Sequence, residues 1–130
     1  MRKFIFISLL VTLSVVLAAC GSVATPADTT SPKQVNIKME TNPTPAIKGD
    51  IELLLTVTDA NGNPIEGAKV DVSVDHTDMT GMGMSGLATE QGGGKYSIKA
   101  NLQHTGNWKL TVYVRKDGLD YKEDIEFPVQ

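Results

Sequence analysis

The 130-residue chain is 41% hydrophobic and 21% charged, with twelve basic and fifteen acidic side chains and a formal net charge of −3. That length suits one folded unit, and a mildly acidic chain without a basic run is a poor match for phosphate backbones, so no nucleic acid partner is expected. The single cysteine, Cys20, excludes an intrachain disulfide and a thiolate zinc cluster.

Arg2 and Lys3 precede an apolar stretch, Phe4 to Leu17, broken only by Ser8, Thr12 and Ser14. As a helix these fourteen residues would rise about 21 Å, short of a bilayer core of roughly 30 Å. A positive start, a short apolar middle and small residues at its end read as an export signal over residues 1–19. Without that segment the chain keeps ten basic and fifteen acidic residues, a net charge of −5. The segment closes on Leu17-Ala18-Ala19-Cys20-Gly21, which resembles the lipobox of bacterial lipoproteins. The resemblance implies that Cys20 carries the lipid and becomes the new N-terminus. The expected location is therefore the cell membrane, lipid-anchored and facing the periplasm or cell exterior; Cys20-linked acyl chains would supply the contact with the bilayer. Residues 20–33 turn to Ser, Val, Ala, Thr, Pro and Asp, cannot bury a face, and read as a tether.

From Gln34 to Gln130 the apolar residues recur at every second position. Val35, Ile37 and Met39 open the series, with Met39 assigned to the core. Pro43 and Pro45 interrupt it, and Ile51, Leu53, Leu55 and Val57 follow. Asp59-Ala60-Asn61-Gly62-Asn63-Pro64 is a dense turn signal. Its Asp59, Asn61 and Asn63 share the opening spacing of a calcium loop but lack the later ligands, which favours a plain turn. Val70, Val72 and Val74 form the next strand. A short piece around residues 87–89 comes next, then Tyr96, Ile98 and Ala100, then Trp108, Leu110, Val112 and Val114, and finally Ile125, Phe127 and Val129. About seven short antiparallel strands with regular turns predict an all-β, immunoglobulin-like sandwich over residues 34–130, with a helical or disordered signal segment ahead of it.

Three methionines, Met79, Met82 and Met84, fall within six residues and are separated by glycines; His76 lies just before them. Thioether sulfur is uncharged and polarizable and suits Cu(I), and imidazole suits copper in either oxidation state. His76 continues the inward parity of Val70, Val72 and Val74. The only other histidine, His104, just precedes the Trp108 strand. If those strands are antiparallel neighbours, both histidines reach one rim of the sandwich. His76, Met79, Met82, Met84 and His104 are accordingly the candidate copper ligands.

Asp59-x-x-Gly62-x-Pro64-Ile65-x-Gly67-Ala68-x-Val70, Met79-x-x-Met82-x-Met84, Gly94-x-Tyr96 and Gly106-x-Trp108-x-Leu110-x-Val112 occur in that order. Together they resemble the YtkA-like and FixH-like domains, exported immunoglobulin-like modules. The resemblance implies extracytoplasmic copper binding and delivery of copper to a respiratory oxidase or another membrane acceptor or transporter. Where many relatives have a proline after the first methionine this chain has Thr80, and where many have a methionine before the Gly-x-Trp segment it has His104 and Thr105. A monomeric Cu(I) carrier is the expected function. The alternative is an adhesion lipoprotein or transporter-associated subunit using the methionine loop as a flexible contact surface. No nucleophile motif, phosphate loop or paired-carboxylate pattern points to an enzyme, and no catalytic residue is expected.

Overall fold

Alternation with a period of two dictates the architecture, because each strand has one face to hide and one to hydrate. The computed structural model describes residues 34–130. The expected signal segment, the lipidated Cys20 and the tether lie outside the described residues. Eight strands follow one another: β1 (Val35–Asn42), β2 (Gly49–Asp59), β3 (Lys69–His76), β4 (Met84–Leu87), β5 (Thr89–Gly92), β6 (Lys95–Leu102), β7 (Gly106–Lys116) and β8 (Leu119–Val129). They form two four-stranded antiparallel sheets, ordered β1-β2-β6-β5 and β4-β3-β7-β8. The fold is an immunoglobulin-like β-sandwich.

The core is made by the in-phase residues of both sheets. Leu53, Val57, Val70, Val74, Leu110, Val112 and Val114 are wholly buried, and Ile51, Leu55 and Val72 nearly so. These β-branched and leucine side chains fit a pleated surface and interlock between sheets. Tyr96 belongs to the same layer, and its hydroxyl is used: it donates to the Ile65 carbonyl (2.7 Å) and accepts from the Ala68 amide (3.2 Å). Burial pushes this phenol above its usual range.

The structure has eight strands where about seven were expected. The short piece around residues 87–89 divides into two, β4 on one sheet and β5 on the other. Buried Ala88 is the crossing point, its amide bonded to the Val70 carbonyl (2.9 Å). A small side chain there lets the backbone pass between the two sheets.

Strand polarity assigns every loop to one of two ends. At one end lie residues 43–48, 77–83 and 103–105 and the C-terminus, tied by Lys48 N–H to the Gln130 carbonyl (2.8 Å) and Gln130 N–H to the Ala46 carbonyl (2.9 Å). The start of β1 lies at the opposite end, with Val35 paired to Asp59. There the Asp59 turn closes on itself. Its Oδ1 accepts from the amides of Asn61 (2.8 Å) and Asn63 (2.9 Å), and its Oδ2 from Asn63 Nδ2 (3.1 Å). The carboxylate is thus occupied by its own turn, a self-bonded aspartate geometry.

The Asn63 side chain, followed by the turn amides, holds the Asp59 carboxyl below its ordinary value of 3.8. A depressed carboxylate stabilises the fold above its unfolded pKa, and that stabilisation is lost as pH falls through the lower folded value. NMR titration should therefore find Asp59 titrating below 3.8. Asn63→Ala should move it back up, and millimolar calcium should leave it unmoved.

Candidate metal centre

The inward parity of β3 runs on to its last residue, so His76 is only 6% exposed. β3 pairs antiparallel with β7 in a register that sets His76 opposite Trp108. Their rings meet edge to face, with centroids 5.0 Å apart and planes at 71°, an arrangement that aromatic quadrupoles favour. Trp108 is 2% exposed, and its indole N–H donates to the His104 carbonyl (3.0 Å). The indole thereby fixes the backbone of the loop that carries the second histidine.

Both imidazole nitrogens of His76 are engaged. The Asp78 amide donates to Nδ1 (3.1 Å), and Nε2 stands 3.0 Å from the Thr105 carbonyl. A carbonyl only accepts, so Nε2 carries the proton and the ring is the neutral Nε2–H tautomer. Gly106 lets the ring lie this close. It adopts φ +120°, and a Cβ there would stand 2.9 Å from His76 Nε2. Thr77 adds two more links, its amide and its hydroxyl both donating to the Asn107 carbonyl at 3.0 Å. The loops 77–83 and 103–105 are therefore joined at one rim.

The methionines divide between the two sides of that rim. Met79 and Met82 are each 42% exposed, with Gly81 at φ +78° turning the chain between them. Met84 starts β4 opposite buried Val74 and packs, half-buried, against the core. Exposed Asp75 accepts a hydrogen bond from Ser73 (3.1 Å), and a Cβ on Gly83 would collide with its Oδ1 at 2.1 Å. Only glycine at 83 lets that carboxylate lie across the loop. A shallow hollow of about 320 Å³ results, lined by Ser73, Asp75, Gly81, Gly83, Met84 and Ser85. A larger cleft of about 560 Å³ between Met39, Pro45 and Phe127 holds no imidazole.

The His104 imidazole is half-buried and has no hydrogen bond to any described residue, in contrast to His76. Among the described residues no group of three or more His, Cys, Asp or Glu side chains could hold a metal ion. Any ion at this rim would depend on thioether sulfur, which disfavours hard cations. Sequence reasoning assigned no role here to Trp108, Asn107 or Gly106. The Gly-x-Trp signal was visible, but its work is done through backbone carbonyls that no residue name encodes.

The YtkA-like family model matches residues 29–113, ending within β7. No curated protein matches the chain by sequence. Among solved structures, the PmoD soluble domain from Methylocystis sp. shares 11% identity, with 74% of this chain and 90% of that one covered and a TM-score of 0.49. A copper-bound variant of FetP from uropathogenic Escherichia coli shares 12% identity, with 74% and 89% covered and a TM-score of 0.49. The Escherichia coli adhesin FdeC shares 29% identity with a TM-score of 0.48; 77% of this chain is covered but only 32% of the adhesin.

Gly106→Ala should be destabilising by about 1–3 kcal/mol, from the strained φ together with displacement of the His76 ring. Gly49→Ala is the control, since Gly49 has a similar φ of +117° but open space around its Cβ position. Urea denaturation should show the lower midpoint for Gly106→Ala, with unchanged slopes in both variants.

Proposed function

Since the chain belongs to the YtkA-like family, we propose that it is a lipid-anchored, extracytoplasmic copper-binding protein that carries Cu(I) to a membrane acceptor. One observation carries the reading: the 77–83 and 103–105 loops are joined through His76, whose Nδ1 accepts from the Asp78 amide and whose Nε2 reaches the Thr105 carbonyl. These links give the Met79, Met82 and Met84 loop and the His104 loop a common rim. Met79, Met82 and His104 have accessible side chains there, and Met84 lies at the inner border. His76 would join the donors only by giving up one of its two hydrogen bonds.

The chemistry of such a set suits a carrier. Thioethers are neutral, so an acceptor can displace them one by one without waiting for protonation. They also survive in an oxidising compartment that would consume thiols. Exposed Met79 and Met82 can be approached from solvent while the sandwich stays rigid. The lipid on Cys20 would keep the carrier in the same membrane plane as its acceptor. No step of this function requires bond making on the protein, and the chain is read as a binding protein, not an enzyme.

The test is titration with Cu(I) against a chelating competitor. The protein should bind one ion, and changing Met79, Met82 and Met84 together to Leu should weaken binding more than about a hundredfold, beyond what loss of outer-shell partners causes. Unchanged affinity would remove copper from the account. If the same Leu variant kept a partner that wild type captures without metal, the loop would instead be a contact surface of adaptable apolar side chains.

A further inference from the structure

The two histidines of the rim are not equivalent. His76 is buried, and among the described residues no other imidazole or charged side chain is. Its Nδ1 lone pair is taken by the Asp78 amide and its Nε2 carries a proton directed at the Thr105 carbonyl. No lone pair is left for an ion. Binding through Nδ1 would orphan a backbone N–H, and binding through Nε2 would require loss of a proton and set the metal against a carbonyl. The Trp108 ring also holds the imidazole edge to face at 5.0 Å, which restricts its rotation. His104 is held only through its backbone, by the Trp108 N–H, and its ring is free of hydrogen bonds to described residues.

Resting on the copper reading above, we propose that His76 is a positioning residue and not a ligand. It clips the start of the methionine loop, through Asp78, to the His104 loop, through Thr105, so that an ion meets thioethers and a single imidazole. A donor set of neutral sulfurs with one nitrogen selects a soft monovalent ion, Cu(I) or Ag(I), over Cu(II) and Zn(II). His76 thus shapes specificity twice, by aligning the soft donors and by withholding a second imidazole.

The experiment uses the exported protein labelled with 15N-histidine and 13C-methyl methionine, with Ag(I) as a diamagnetic probe. Expected are Ag(I)-dependent shifts of one His104 ring nitrogen and of the methionine methyls, with the His76 Nε2–H tautomer unchanged. A metal-type shift at a His76 nitrogen, alongside shifted methionines, overturns the positioning role and leaves the copper reading intact. Unmoved methionines and histidines would overturn the copper reading and the proposal with it. Two variants separate positioning from ligation: His76→Asn can keep the bond from Asp78, and His76→Gln can keep the bond to Thr105. Each should weaken Ag(I) binding by about 10–100-fold, the usual effect of an outer-shell partner. Cu(I) X-ray absorption should still report one nitrogen neighbour in both; loss of that nitrogen would show His76 to be a ligand.

Discussion

The rim depends on the packing of the His76 imidazole against the Trp108 indole. Antiparallel pairing of β3 with β7 sets these residues opposite each other, and burial of both rings gives them fixed orientations. From that seam three backbone links radiate: the indole N–H reaches the His104 carbonyl, and the imidazole reaches the Thr105 carbonyl and the Asp78 amide. A polar ring buried without partners would destabilise the fold, so full satisfaction of His76 is itself a constraint on both loops. Loops that would otherwise be held only at their ends are thereby tied to the core.

The sandwich divides labour between its ends. At the end where β1 begins, the Asp59 turn and the Tyr96 hydroxyl bind only neighbouring backbone and side-chain groups, closing that end with local hydrogen bonds. The opposite end carries the 43–48, 77–83 and 103–105 loops and leaves Met79 and Met82 open to solvent. Chain entry at Val35 lies at the closed end. A membrane anchor ahead of residue 34 would therefore hold the domain by the end away from the methionines. Strands of eight to eleven residues at about 3.3 Å per residue separate the two ends by roughly 25–35 Å.

Much of this was legible in the residue order. Alternation identified Ile51 to Val57, Val70 to Val74 and Trp108 to Val114 as strands with an inward face, because sheet geometry imposes a period of two whatever the partner. The same parity carried His76 inward. What alternation could not reveal was the change of sheet at Ala88, since a strand that stays and a strand that crosses have the same local pattern. Met84 is a similar case. Its sulfur resembles those of Met79 and Met82 in sequence, yet pairing with Val74 turns it toward the core.

The residue order by itself determined the all-β class, the inward faces, the turns and the run of soft donors at residues 76–84. These properties follow from local stereochemistry and side-chain type, which travel with the sequence. Only the tertiary structure decided which imidazole is spent and which has no hydrogen bond to a described residue. That distinction rests on the carbonyl of Thr105 and the indole of Trp108, 29 and 32 positions from His76 along the chain. They reach His76 only when β3 and β7 have paired, and hydrogen bonding is settled by such proximity in space.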